Sequence, residues 1–314
     1  MPGFQLWSLN NFFADSIKIL SAFRINMELY LENGLISAEE WREVVTRLRA
    51  EAAPDRTQWM AVFERAVLDR ARDGRVGVLF SGGVDSTLIA FVLHRNGIPF
   101  ICYTVGFQDE GTKQPEDVIE ARRIAERYGW DCRVQVLNLE ETERIIVRTI
   151  GILGDAANPI TVGVGAVVVA AADAALEDGV TMLFSGLGSE EIFAGYERHG
   201  KAVDVQEECW DGLVCMRERD LIRDTRIAAA MGVGIATPFL DLQVLRTGML
   251  LEPKIKDGVK KYVLREMAVE YGLPHEFAFR PKRAAQYGSR IDGALERLAR
   301  RQGLSKKEYV VRSR

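Results

Sequence analysis

The chain has 314 residues, 47% of them hydrophobic and 27% charged, with a formal net charge of -4. That balance excludes a fibrous or largely disordered chain and names no polyanionic partner; the length suits one large α/β domain with a smaller helical appendage. Four cysteines without a CxxC pair, beside only three histidines, give no basis for a zinc or iron-sulfur site and read as the reduced thiols of a cytoplasmic protein.

The amino terminus, MPGFQLWSLNNFF, has no basic segment ahead of an apolar core, so no secretory signal is expected. Up to Gly74 the pattern reads as helical, with a stop at Gly34, a restart at the capping box Ser37-x-x-Glu40, a break at Pro54 and a third helix from Thr57. From Arg75 the grammar changes to short, almost continuously apolar runs at 75–80, 98–105, 132–138 and 180–185. Helical stretches near 85–97, 115–129 and 160–178 separate them. Strands of that kind, covered on both faces, predict a doubly wound, mostly parallel α/β sheet with ligands at its carboxyl ends. The longest apolar run, Pro159 to Ala172, falls short of the roughly 20 residues of a membrane span. Beyond Gly186 strand signals fade and the chain reads as mostly helical. Its end is basic, from Arg280 through Arg314, and is expected to be a solvated tail, with contact to RNA or another polyanion, or for some of its cations with ATP, as the alternatives. The division expected is a helical segment at 1–72, the α/β domain at 73–290 and the basic tail at 291–314.

The decisive segment is RVGVLF-SGGVDS-TLIAFVLHRNG, a buried strand entering a Gly-Gly turn and then a helix. Gly82 and Gly83 let backbone N–H groups approach phosphate oxygens, and the helix amino terminus adds positive partial charge. Ser81 and Ser86 can donate hydroxyl hydrogen bonds. Asp85 would repel phosphate unless a cation lies between them, which implies magnesium. The GxxxxGK loop of phosphoryl-transfer enzymes is absent. SGGxDS after an apolar strand resembles instead the PP-loop ATP pyrophosphatases, whose fold is adenine nucleotide alpha hydrolase-like.

Between Val62 and Ser289 the chain further resembles the synthetase domain of asparagine and β-lactam synthetases. SGLGSEEIFAGY (Ser185 to Tyr196) is similar to that family's SGxGxDExxxGY loop: Ser185, Gly186 and Gly188 match the turn, Glu190 stands where the family has a magnesium-binding Asp, and Glu191 matches the acid beside it. RDTRIAAAMGVGIATPFLD keeps Pro238, Phe239, Leu240 and Asp241. KKYVLRE sets Lys261 four residues before Arg265, as in the family's K-x-x-L-R, with Lys260 next door leaving the assignment open by one residue. RPKRAAQYGS resembles the Arg-x-Lys segment and makes Lys282 a second candidate. With AGYERH (Ala194 to His199), the wording is most similar to the asparagine synthetase domain-containing proteins. The resemblance implies an ATP-dependent, AMP- and pyrophosphate-forming ligase in which Asp85 and Glu190 hold Mg2+. Ser81, Gly82, Gly83, Ser86, Gly186 and Gly188 would surround the phosphates, and Lys261 and Lys282 would be catalytic. The adenine is expected over the strand ending near Val105, with Phe107 as a neighbour.

Two departures matter. Class II glutaminases use an amino-terminal cysteine, whereas this chain begins Met1-Pro2-Gly3 and its first cysteine is Cys102. Nitrogen is therefore expected from ammonia, an amine substrate or a separate glutaminase subunit, and the segment up to about Arg72 is expected to pack the domain or support a homodimer. The acids of SGEG and of E-x-R-x-P-F-L-D are replaced by Leu187 and Gly234, and Ala236 replaces the arginine. Leucine and glycine transfer no proton, so the acceptor half of the site is rewritten. Activation of a carboxylate for amide formation is the leading expectation. Adenylation of an RNA base or carbonyl, and an ATP-binding scaffold, are its rivals.

Overall fold

The computed structural model describes residues 30–31, 34–71, 75–111, 113–281 and 284–314. Four apolar runs form strands as expected: β1 Val76–Leu79, β2 Phe100–Phe107, β3 Cys132–Leu137 and β4 Met182–Phe184. A fifth, β5 Gly234–Ala236, lies in the region expected to be helical. Three residues with two small side chains carry little strand signal; pairing makes them one, Met182 opposite Gly234 and Phe184 opposite Ala236. All pairs in the sheet are parallel and the order is β3-β2-β1-β4-β5. Succession along the chain therefore reverses direction between β1 and β4. That is the topological switch point, where loops leaving adjacent strands diverge and open a crevice.

Helices cover both faces of the sheet. α1 Ala38–Glu51 starts at the foreseen capping box, and α2 Arg56–Arg70 starts one residue before Thr57 because the Asp55 side chain caps it. Before them, Tyr30–Leu31 pairs antiparallel with Gly34–Leu35, so the helix expected to stop at Gly34 is not what these residues form; residues 1–29 lie outside those described. α1 and α2 are fastened to the rest of the domain. Trp41 Nε1 donates to the Leu213 carbonyl at 2.9 Å, and fully buried Trp59 stacks on Phe63 and meets Phe193 edge-on, both at 5.1 Å.

α3 Val84–Arg95 and α4 Glu116–Tyr128 follow β1 and β2. α5 Leu139–Leu153 was not anticipated, although Asn138 and Glu141 form a capping box and Leu139, Thr142, Ile146, Ile150 and Leu153 bury one face. α6 Pro159–Glu177 has 19 residues, longer than the apolar run read from the sequence and apolar enough to cross a membrane. Its composition is explained by burial against β2, α5 and the helix Ile222–Met231. The basic carboxyl-terminal stretch folds as two helices, Ile291–Arg301 and Lys306–Arg312, with Leu295, Leu298, Tyr309 and Val310 in the core. Several of its cations are used internally: Arg297 on Asp109, Arg300 on Glu296, Lys306 on Asp292. The reading of a solvated tail gives way to a packed, amphipathic one.

Candidate active site

The site lies at the switch point. After β1 the chain turns through Ser81, Gly82 and Gly83 and enters α3. The Ser81 N–H donates to Ser86 Oγ at 3.3 Å and the Gly83 N–H to Ser81 Oγ at 3.4 Å, so the two hydroxyls shape the loop they were expected to serve. Gly82 has φ +66°, and a Cβ there would press on the α4 backbone, 3.2 Å from the Glu120 carbonyl carbon. Both requirements favour glycine. Asp85, in the first turn of α3, is 1% exposed.

After β4 a second loop runs Ser185, Gly186, Leu187, Gly188 into the short helix Ser189–Ile192. A Cβ on Gly186 would lie 2.8 Å from that of Asp85, so the missing side chain is what allows the two loops to touch. Gly188 has φ +100° and would meet Leu240 at 2.6 Å. The loops thus bring Asp85 and Glu190 to one place from positions 105 residues apart.

Lys261 joins them. Its Nζ donates to both carboxylate oxygens of Asp85 at 2.8 Å and to Ser189 Oγ at 2.9 Å, and pairs with Glu190 Oε2 at 2.9 Å. The backbone at Lys261 is left-handed, φ +57°, just before helix Tyr262–Glu270, which turns this side chain inward. Neighbouring Lys260 pairs with Glu197 at the surface, so of the two lysines it is Lys261 that reaches Asp85 and Glu190. Gly195 completes the arrangement: a Cβ there would lie 1.5 Å from Glu190 Oε2 and 2.3 Å from Lys261 Cε.

Arg280 was not singled out as a site residue. Its Nη1 donates to the Ser81 carbonyl at 3.0 Å, and its guanidinium lies 3.8 Å from Asp117 and from Glu120. Arg265, identified only as part of a spacing, donates to the carbonyls of Lys260 at 2.8 Å, Ala278 at 2.5 Å and Arg280 at 3.0 Å. One buried guanidinium therefore ties the backbone before Lys261 to the segment leading to Lys282, which itself lies outside the described residues. Burial lowers the Arg265 pKa, while the charges of Asp85 and Glu190 act the other way.

Val105 is buried within β2, opposite Gln135, and two residues on Phe107 donates its N–H to the Ser289 carbonyl at 2.8 Å. The carboxyl end of β2 is thus roofed by the 284–290 segment. Behind Glu190, fully buried Glu191 accepts from Arg219 at 2.5 Å; burial lifts its carboxyl to about 7 against the pull of that arginine. Leu187 is half-buried against the core, and Gly234 and Ala236 lie in buried β5. No group of three or more metal-ligating side chains occurs among the described residues.

The chain matches the family model described as asparagine synthase over residues 58–211 and 200–312. A putative glutamine-hydrolysing asparagine synthetase of Methanocaldococcus jannaschii is 30% identical over 285 residues, covering 78% of this chain and 51% of that one. The glutamine-hydrolysing asparagine synthetase of Bos taurus is 29% identical, covering 72% and 42%. The chain thus spans about half the length of these relatives. Among solved structures, the U34-tRNA thiolase NcsA of Methanococcus maripaludis aligns with 92% of this chain and 82% of its own at 16% identity and a TM-score of 0.34. The NMN synthetase of Francisella tularensis aligns with 86% and 98% at 14% identity and a TM-score of 0.31.

Proposed function

The chain belongs to the asparagine synthase family, and from that premise we propose that it cleaves ATP to AMP and pyrophosphate while adenylating a carboxylate, which ammonia or an amine then captures as an amide. The observation that carries the reading is the convergence of Asp85, Glu190 and Lys261 beside the Ser81–Ser86 loop. Two carboxylates that already share one cation, the Lys261 ammonium, have the hard oxygen donors and spacing to share a magnesium ion with substrate phosphates. Asp85 and Glu190 would hold that ion. When bound, it neutralises charge on the departing pyrophosphate.

In the first step a carboxylate oxygen of the acceptor bonds to the α-phosphorus and the α–β phosphoanhydride bond breaks, with its electron pair leaving on pyrophosphate. Ser81, Gly82, Gly83 and Ser86 bind the leaving end. Lys261 is placed to exchange its carboxylate partners for phosphate oxygens, so its charge follows the reaction. In the second step the nitrogen attacks the acyl carbon and AMP departs. The proton lost from nitrogen goes to solvent or to the departing phosphate, because Leu187 and Gly234 offer no base. Nitrogen comes as free ammonia, as an amine, or from a separate glutaminase subunit.

Pyrophosphate release from magnesium-ATP, measured with aspartate plus ammonia, then a panel of carboxylates and amines, then bulk tRNA, tests this. Release that needs both a carboxylate and a nitrogen source, and that Asp85→Ala abolishes, is expected. Release with RNA alone would overturn amide formation, and ATP binding without release under any condition would leave only a scaffold.

A further inference from the structure

The AGYERH segment carries polar groups that the adenylation site does not use. His199 is fully buried, and its Nδ1 accepts from the Tyr196 N–H at 3.1 Å, which leaves Nε2 as the protonated, donating nitrogen. Glu191, also fully buried, spends Oε1 on Arg219. Arg198 spends Nε on Glu208 at 2.7 Å and lays its guanidinium on the Tyr196 ring. Three buried atoms then have no hydrogen-bond partner at ordinary distance among the described residues: His199 Nε2, whose ring also feels the Ala194 backbone, Arg198 Nη2 and Glu191 Oε2.

All three side chains border one spot on the helix Val205–Met216, where the sequence has Gly212. A Cβ at Gly212 would lie 3.0 Å from Arg198 Nη2, 3.5 Å from Glu191 Cγ and 4.0 Å from His199 Nε2. Glycine in mid-helix costs about 1 kcal/mol relative to alanine, and here its small size keeps space in front of three groups whose desolvation is otherwise uncompensated.

We propose that Glu191, Arg198 and His199 enclose a binding site for a single structural water molecule, walled by Gly212. The donor inventory selects water. Two N–H donors require a ligand with two lone pairs, and one carboxylate oxygen, in the ionised form that Arg219 favours, requires a ligand with a proton to give. An ammonium or metal cation has no lone pair for the donors, and an anion would set a second negative charge against the buried Glu191 carboxylate. Water satisfies all three groups, within the two to four partners usual for buried water. Bound there, it holds the Glu191 side chain in place directly behind the turn that presents Glu190.

Two variants of the full chain test the site. Helix propensity ranks Gly212→Ala above Gly212→Ser in stability, and crowding penalises the larger serine at least as much as alanine. A hydrated site reverses the order: alanine displaces the water and strands its partners, whereas the serine hydroxyl takes over part of its bonding. The expected result is a thermal midpoint for Gly212→Ala about 3 °C or more below the wild type, with Gly212→Ser clearly above Gly212→Ala. A high-resolution crystal structure of the wild-type chain should show one density peak about 2.7–3.2 Å from each of the three atoms. Alanine equal to or more stable than serine, or direct pairing of the three side chains with no such peak, overturns the proposal.

Discussion

Gly195→Ala is a small change aimed at the centre of the site. The added methyl would stand 1.5 Å from Glu190 Oε2 and 2.3 Å from Lys261 Cε, and both atoms lie near the ends of flexible side chains. The backbone can therefore stay, and the carboxylate and ammonium must each retreat by roughly 1–2 Å to reach ordinary contact. At an effective dielectric of about 20, opposite unit charges interact by roughly 6 kcal/mol at about 2.9 Å and roughly 3 kcal/mol at about 5 Å. Displacing Lys261 by that much forfeits some 2–3 kcal/mol of the stabilisation it offers to charge at the same place, or about 100-fold in rate. Pyrophosphate release at saturating ATP should fall by one to two orders of magnitude, with a higher magnesium requirement because Glu190 also moves. The thermal midpoint should fall less than in Lys261→Met, because the buried ion pair is loosened and not removed. A variant that turns over at the wild-type rate with unaltered magnesium dependence would refute the assignment of Glu190 and Lys261 as a working pair.

Three further outcomes follow from the same geometry. Lys261→Met leaves two carboxylates facing one another without their shared cation; the expected loss of about 3 kcal/mol should be partly restored by millimolar magnesium, as read by urea denaturation with and without the ion. Burial, and then the charge of Arg198, hold the His199 imidazole down to about 4, below its ordinary value near 6.5. A depressed base contributes stability that is fully present above pH 6.5 and lost as pH falls toward 4, by up to roughly 3 kcal/mol, so wild-type stability should drop across that window and His199→Gln should flatten the slope. Trp59→Ala removes the ring that, stacked on Phe63 of the same helix, joins α2 to Phe193 and Phe239 and should cost about 3–5 kcal/mol, lowering the denaturation midpoint in proportion.

Much of the fold was legible because strands buried on both faces require contiguous apolar runs, and β1 to β4 have them. β5 was not, since Gly-Ile-Ala is a strand only by virtue of its neighbour. α5 was not legible because its capping residue, Asn138, follows β3 with no intervening loop to mark the change of element. In the candidate site, Asp85 could be named from loop chemistry, whereas Glu190 and the lysine came only from the resemblance to the synthetase family, whose K-x-x-L-R left Lys260 and Lys261 both open. Choosing between Lys260 and Lys261 required the left-handed turn that sends one outward and the other inward. Arg280 and Ser189 were missed because their contacts are with a backbone carbonyl and with Lys261 across long stretches of chain, and no local pattern encodes either. Arg280 does stand two residues before Lys282 in the same motif, which is the one signal that could have found it.

The contact between Asp85 and Lys261 spans 176 positions, and the strand order sets loops from both halves of the chain side by side. Contacts of that separation slow folding, because the chain must be closed over a long loop before they repay its entropy. On the proposed reading, the charges that would grip the nucleotide therefore come together only when the strands on both sides of the switch point are in place. During refolding, affinity for ATP should appear after helical signal and compaction, in step with the last kinetic phase, and a bound nucleotide would stabilise no partly folded chain.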